Sequence, residues 1–449
     1  MNDTISAIST ALGIGGISII RTSGKDSIEI VNSIFKGSDL TKVDSHTIHY
    51  GYIIENEEII DEVLVTVMKA PKTFTVEDVV EINCHGGIAT TNRVLELLLR
   101  SGSRLAEPGE FTKRAFLNGR INLMEAESVM DLINGKTEKA RKMAINGLRG
   151  NTSSLITNLR QEILNLIASI EVNIDYPEYK DIEETTINDI KTNMKSIKDK
   201  LSKIVRESES GKMIKEGIKT VILGRPNVGK SSILNRMLEE EKAIVTDIEG
   251  TTRDIVEGQI NIDGILLNII DTAGIRKTND IIEQKGVEKS LSLIDDANLI
   301  ILVLNNNEKL NEEDKNLLDQ VKNKKYIVVV NKKDLEKKID IDDNDNMVYV
   351  DTLSNEGIEP LLNKIKELFN MEELENSDLN YISNARQISL LKQALDIIPS
   401  IEEGLEQEMP IDMIEIDIKE MYNVLGEING ESYSDEIIDQ LFSQFCLGK

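Results

Sequence analysis

Apolar positions alternate with a period of two in the first part of the chain and take helical spacing further on. The runs Gly16–Arg21, His46–Ile54, Glu62–Met68 and Asp78–Asn83 read as strands. Ser27–Phe35 and Thr91–Leu99 carry helical stripes, so residues 1–118 predict an α+β domain. Pro108-Gly109-Glu110-Phe111 marks a break. Beyond it, Leu123–Ile133 and Leu155–Val172 predict long packed helices, Tyr176-Pro177 interrupts them, and Ile187–Val205 resumes. Residues 119–214 therefore predict a helical region, with Gly211 and Gly217 leading into the next strand. Over 215–375, short apolar runs near 219–223, 265–270, 298–304, 326–330 and 347–350 are separated by helical patterns. That alternation predicts a mostly parallel sheet with ligands at its carboxyl strand ends. Residues 376–449 turn helical again at Ala385–Ile397, Ile411–Leu425 and Asp435–Phe445. The two helical regions read either as one domain split by an inserted α/β domain or as two separate domains.

The strongest chemical signal is Gly224-Arg225-Pro226-Asn227-Val228-Gly229-Lys230-Ser231, a phosphate-binding loop pattern followed by Ser232 and a helical stripe. Its glycines let backbone N–H groups surround phosphate oxygens at a helix N-terminus. Lys230 suits the β- and γ-phosphates, and the Ser231 hydroxyl suits Mg²⁺. Asp271-Thr272-Ala273-Gly274 follows an apolar run, where a carboxylate suits the outer Mg²⁺ shell and a glycine N–H the γ-phosphate. Asn331-Lys332-Lys333-Asp334 follows another, and the Asp334 carboxylate can accept both guanine N1–H and N2–H₂. Between them, Thr246-Asp247-Ile248-Glu249-Gly250-Thr251-Thr252-Arg253-Asp254 reads as a switch whose Thr252 can reach Mg²⁺. These motifs, in this order at strand ends, resemble the Ras-like GTPases of the translation-factor class. Gly13-Ile14-Gly15-Gly16 precedes a strand and reads as a tight turn. The acidic run Asp340–Asn346 lacks a calcium loop's glycine and glutamate and reads as a solvated loop.

Composition narrows the class. The chain has 449 residues, enough for several domains, with 40% hydrophobic and 29% charged residues. No apolar run reaches membrane-spanning length, and Met1-Asn2-Asp3-Thr4-Ile5 lacks a secretory leader's basic stretch. Two cysteines fit a reducing, cytoplasmic setting and, with three histidines, make a structural zinc site unexpected. The net charge of −27 argues against unaided gripping of nucleic acid through a basic surface, or it simply serves solubility.

Three stretches together, Gly224-Arg225-Pro226-Asn227, the switch from Thr246 to Asp254 and Pro108–Asn118, join with the tail Phe445-Cys446-Leu447-Gly448-Lys449 in a wider resemblance. The whole chain is similar to the family of bacterial tRNA-modification GTPases called MnmE or TrmE. The resemblance implies an N-terminal folate-binding and dimerising domain, a helical domain and an inserted G domain. It implies a homodimer that works with the FAD-containing flavoprotein MnmG and contacts tRNA mostly through that partner. Together they build the aminomethyl or carboxymethylaminomethyl group at C5 of a wobble uridine, with a tetrahydrofolate (5-formyl or methylene form) as one-carbon carrier. Carried over residue by residue, the folate site falls on Arg21, Glu81, Arg120 and Lys449, and Cys446 serves the modification. Without the resemblance, Glu81 reads as a buried ion-pair member, Arg120 as a solvated side chain and Cys446 as a small buried hydrophobe. Ile275 stands where Ras has its water-orienting glutamine, and the family's substitute falls on Glu283. The resemblance also implies K⁺ in place of an arginine finger, held by Asn227 and the switch around Thr246, Ile248 and Thr251. After the last strand the family's Ser-Ala-x is replaced by Asp351-Thr352-Leu353. The alternative function is a ribosome-assembly GTPase, whose relatives usually add an RNA-binding or second G domain.

Overall fold

The computed structural model describes residues 3–175, 180–240, 256–270, 294–354, 357–371, 378–431, 433 and 435–449. The chain divides into two compact units, Met1–Ile133 with Gly147–Lys195 and Gln393–Lys449, and Asn134–Asn146 with Ser196–Lys392.

In the first unit, strands β1 (Ile5–Ile8), β2 (Ser18–Ser23), β3 (Phe35–Lys36), β4 (Thr47–Glu55), β5 (Glu58–Met68), β6 (Val79–Cys84) and β7 (Arg104–Leu105) form one sheet. Its order is β3-β4-β5-β6-β2-β1-β7, antiparallel except for β1 beside β7. One face buries Ile20, Val65, Val67, Val80 and Ile82 against Val31 of helix Ser27–Ile34 and Val94 and Leu98 of helix Ile88–Arg100. On the other, Ile5 and Ala7 meet Phe111 of helix Glu110–Leu117. Sequence periodicity misses β1 and β7, because four and two residues are too few to display alternation. It also misses helix Glu110–Leu117, which begins at the break that Pro108-Gly109 marks. Gly109 caps it with φ +71°, and a methyl group there would sit 2.4 Å from the Phe442 carbonyl oxygen.

Helix Asn151–Asp175 packs along helix Ile411–Asn429, with the Arg160 guanidinium 4.3 Å from the centre of the Tyr422 ring. Two helices outrun their sequence boundaries. Ala385–Glu406 continues through Pro399, beyond the expected end at Ile397. The buried stripe Ala394, Ile398, Ile401 and Leu405 spans the proline and offsets its cost of about 3 kcal/mol. Lys180–Glu216 continues past Val205 and through Gly211. A methyl group on Gly211 would lie 2.7 Å from Tyr381 Cβ, so this glycine serves close packing and not a helix stop.

In the second unit, β8 (Ile218–Leu223), β9 (Val256–Ile262), β10 (Ile265–Ile270), β11 (Leu299–Asn305), β12 (Tyr326–Asn331) and β13 (Met347–Tyr349) form the sheet β13-β12-β11-β8-β10-β9. All pairs are parallel except β9 with β10. The expected central strands are present, and β9 adds an antiparallel edge that buries Ile260 and Ile262. Ile222, Ile301 and Val329 face one core and Val221, Leu302 and Val330 the other. A sheet covered on both faces is why its strands read as continuous apolar runs. Among the described residues no helix is long and apolar enough to cross a membrane.

Candidate functional site

The phosphate-loop candidate begins where β8 ends and runs into helix Lys230–Glu240. Gly224 has φ +141° and would set a methyl group 2.4 Å from the Val303 carbonyl oxygen. Gly229 has φ +102°, with Asn331 Nδ2 only 2.1 Å from where its Cβ would stand. Both positions need glycine because the loop runs against β11 and β12. Between them Asn227 holds a left-handed backbone at φ +63°. Lys230 Nζ donates to the Gly224 carbonyl at 2.8 Å and to the Arg225 carbonyl at 2.7 Å. Val228 is buried, while Ser231 and Ser232 stand exposed on the first turn of the helix, their hydroxyls free of the core.

The end of β12 reaches the same loop. Asn331 Nδ2 donates to the Val228 carbonyl at 2.9 Å, and Lys332 Nζ to the Asn227 carbonyl at 3.3 Å. Asp334, exposed, lines an open cleft of ≈ 590 Å³ with Lys333, Tyr349, Asp351, Ser354, Gly357 and Pro360. Asp351 takes the Leu353 N–H on its own carboxylate at 2.9 Å, so the departure after the last strand is a self-closed turn. The structure thus brings Asn227, Val228, Gly229, Lys230, Asn331 and Lys332 together. Thr246, Asp247, Ile248, Glu249, Gly250, Thr251, Thr252, Asp271, Thr272, Ala273, Gly274 and Glu283 lie outside the described residues. The donors present fit those ions: the exposed Ser231 hydroxyl offers an oxygen to Mg²⁺ and the exposed Asn227 amide offers one to K⁺.

The second constellation lies in the first unit. β2 pairs Arg21 with Glu81 of β6 in register, so both side chains leave the same face, beside Phe111. Arg21 Nε and Nη2 donate to Glu81 Oε1, each at 2.8 Å. Arg21 Nη1 reaches the Gly448 carbonyl at 3.2 Å, which also accepts from Ser9 Oγ at 3.1 Å. The Gly109 N–H donates to the Cys446 carbonyl at 3.1 Å, and the Lys449 N–H to the same oxygen at 3.3 Å. Gly448 takes φ +82°, and a methyl group there would stand 2.3 Å from the Ile8 carbonyl oxygen. The tail is thereby seated against β1 and β2, anchored behind by Phe445, whose ring lies tilted with its centre 4.9 Å from that of buried Phe442. Cys446 itself is exposed, so the reading of a small buried hydrophobe is corrected: its backbone is bonded while its thiol faces solvent. Cys84 is the buried cysteine, and burial pushes its thiol up from the ordinary range.

Glu81 is a half-buried ion-pair partner whose Oε2 is left over by that pairing. Arg120 is exposed but not merely solvated: it donates to the Thr73 carbonyl and lies 5.1 Å from the centre of the Phe74 ring. The loop carrying Thr73 and Phe74 is braced from behind. Buried Arg114 donates to both Glu77 oxygens at 3.1 Å, to Asp3 and to Glu110, while Ser23 Oγ donates to Glu77 at 2.8 Å. Burial alone would raise the Glu110 carboxyl, but Arg104, the Glu107 N–H and Arg114 hold it below its usual value. These supports were invisible to motif reading. Their one signal is Gly109, a glycine immediately before a helix.

Residues 4–120 match the family described as GTP-binding protein TrmE N-terminus, and residues 123–446 match the MnmE helical domain. The tRNA modification GTPase MnmE of Streptococcus thermophilus is 54% identical over 449 residues, covering 100% of this chain and 98% of the relative. That of Bacillus cytotoxicus is 52% identical over 455 residues, covering 100% and 99%. Among solved structures, the G domain of the T. maritima FeoB iron transporter aligns at 27% identity over 34% of this chain and 98% of its own, with a TM-score of 0.24.

Proposed function

The chain belongs to the family of tRNA modification GTPases called MnmE, and from that premise we propose that it spends GTP to drive modification of a tRNA wobble uridine at C5. It is a GTP hydrolase involved in tRNA modification. The finer reading gives it a flavoprotein partner of the MnmG kind, a homodimeric state and aminomethyl or carboxymethylaminomethyl chemistry, with tRNA held mainly by the partner.

The observation that carries this reading is the seating of Cys446 and Gly448 on Arg21 and Gly109, which joins the tail to the strand expected to bind folate. Glu81 Oε2 suits the donor edge of a pterin, and the exposed guanidinium of Arg120 suits a glutamate carboxylate. A bound folate would supply the one-carbon unit. Arg21 is engaged by Glu81 and by the Gly448 carbonyl, and Cys446, two residues earlier, is exposed.

In the G domain, the loop from Asn227 to Ser232 and Asp271–Gly274 hold the triphosphate. Ser231 and Thr252 would hold Mg²⁺, while Asn331, Lys332 and Asp334 would read guanine. Asp334 favours guanine because adenine offers no donor pair to its carboxylate. Glu283 orients the attacking water, since apolar Ile275 cannot. Asn227 and the switch around Thr246, Ile248 and Thr251 would hold K⁺, which when bound would supply positive charge between the phosphates.

The test is nucleoside mass spectrometry on tRNA from cells lacking the protein, with and without the gene restored. Loss of C5-aminomethyl-type uridines, recovered by the parent but not by Cys446→Ser or Glu283→Ala, is the expected result. Unchanged wobble uridines would move the function to ribosome assembly.

A further inference from the structure

The phosphate loop is fastened on both sides of Asn227, and one of the fastenings, through Arg225, reaches carboxylates that belong to no GTPase motif. On the far side of Asn227, Asn331 and Lys332 hold the carbonyls of residues 228 and 227. On the near side stands Arg225. Its Nε donates to Asp314 Oδ1 at 2.8 Å and its Nη2 to Glu308 Oε2 at 3.0 Å. Asp314 has a side-chain exposure of 2% and opens helix Glu312–Val321. Its other oxygen accepts the Asn311 N–H at 3.2 Å, and its own N–H donates to Asn311 Oδ1 at 2.9 Å, closing a capping box. Glu308 is in turn held by Asn305 Nδ2, at the end of β11, at 2.6 Å. The guanidinium therefore spans two carboxylates on the β11-to-helix connection, and each carboxylate is fixed by a second donor. A planar fork suits two such acceptors where an ammonium would not.

An asparagine reaches the left-handed region at lower cost than most residues, so its surroundings decide whether it stays there. Asn227 stands there, with Pro226 before it. Lys230 helps hold the near side through the carbonyls of residues 224 and 225. When the Lys230 ammonium turns to a phosphate those two bonds are given up, and Arg225 is what still holds that side. We propose that Arg225, through Asp314 and Glu308, is a positioning residue that sets the backbone of Asn227 and thereby the grip of the loop on nucleotide. This rests on the reading of Gly224–Ser231 as the nucleotide loop. It adds a dependence on the β11-to-helix connection that no motif of that reading contains.

The experiment uses the full chain and measures affinity for a fluorescent GDP, GTP turnover against K⁺ concentration, and the urea unfolding midpoint. The variants are Arg225→Gln, Arg225→Lys, Asp314→Asn, Glu308→Gln and the double Arg225→Gln/Asp314→Asn. Asp314→Asn keeps an oxygen for the capping box but faces the guanidinium with an amide. Each of Arg225→Gln and Asp314→Asn should weaken GDP binding about tenfold, the scale of one charge-assisted hydrogen bond. Both should raise the K⁺ concentration needed for half-maximal turnover. The double variant should be no worse than the poorer single one, because the pair acts as a unit. Arg225→Lys should recover part of the loss, and the exposed Glu308→Gln should fold normally and lose two- to threefold, about the lower end of a hydrogen bond's net worth. Parental affinity and K⁺ response in folded variants, additive losses in the double, or a fall in unfolding midpoint alone would each overturn the proposal. Lys230→Ala is the separate arm: if it binds GDP like the parent, the nucleotide-loop reading fails, and with it the premise.

Discussion

Replacing Gly448 by alanine isolates the tail's seat on β1 and β2. The residue sits at φ +82°, where an L-side chain costs roughly 1–2 kcal/mol. The added methyl would also stand 2.3 Å from a backbone oxygen, that of Ile8, which has no flexible end to yield. Against this stand the bonds to the carbonyls of Gly448 and Cys446 from Ser9, Arg21, Gly109 and Lys449. The three that reach the tail from outside, at about 1 kcal/mol net apiece, total about 3 kcal/mol, so strain and clash together take away most of the docking free energy and weaken the tail's seat without unfolding the sheet. A loss of about 2 kcal/mol in docking should speed amide exchange at Gly109 roughly 30-fold, because its N–H is bonded only while Cys446 is in place. Exchange at Ile20 and Ile82, deep in the sheet, should be unchanged. Hydrogen exchange read by NMR or mass spectrometry supplies the assay, with tRNA modification expected to fall and GTP hydrolysis to persist. Unaltered exchange at Gly109 in the variant would refute the reasoning, since it would mean that the tail tolerates both the strained backbone and the clash.

Three further outcomes are expected. GTP hydrolysis should be far faster in K⁺ than in Na⁺, and equal rates would sink the potassium assignment. Gly229→Ala pushes a methyl into Asn331 Nδ2, breaking that side chain's bond to the Val228 carbonyl; fluorescent GDP should bind at least about tenfold more weakly, and parental binding would show the strut to be dispensable. Glu110 has a folded-state pKa below its unfolded value, so its contribution is fully present above about pH 4.3 and is lost as pH falls through the folded value. Urea unfolding of Glu110→Gln should therefore begin from lower stability at pH 7 and fall less steeply below about pH 4.3 than that of the parent; parallel pH profiles would contradict this.

The legible parts of the molecule are those whose cause is local. β8, β10, β11 and β12 are buried on both faces, and their apolar runs announce them together with the loops at their ends. Gly224 and Gly229 were readable because a motif demands them, although their partners Val303 and Asn331 were not. What stayed hidden depends on distant chain. Arg21 carries no sign in the sequence that it holds Gly448, 427 positions away. The resemblance, not periodicity, pointed to that neighbourhood. Pro399 and Gly211 misled about helix ends because tertiary burial outweighs local propensity there. The Arg114 brace escaped notice since a charged residue on a short helix normally reads as solvated, whereas this one is 1% exposed.

The seating of the tail has a consequence for how the gene could change. Joining Ser9 to Gly448 closes a loop of 439 positions. Loop-closure entropy grows only with the logarithm of length, so removing residues 215–375 would lower its cost by about 0.4 kcal/mol. Chain connectivity therefore imposes almost no penalty on carrying a nucleotide-hydrolysing domain between the strand and the tail that meet it. By the same arithmetic, a lineage could gain, lose or exchange that domain while the tail still met Arg21 and Ser9.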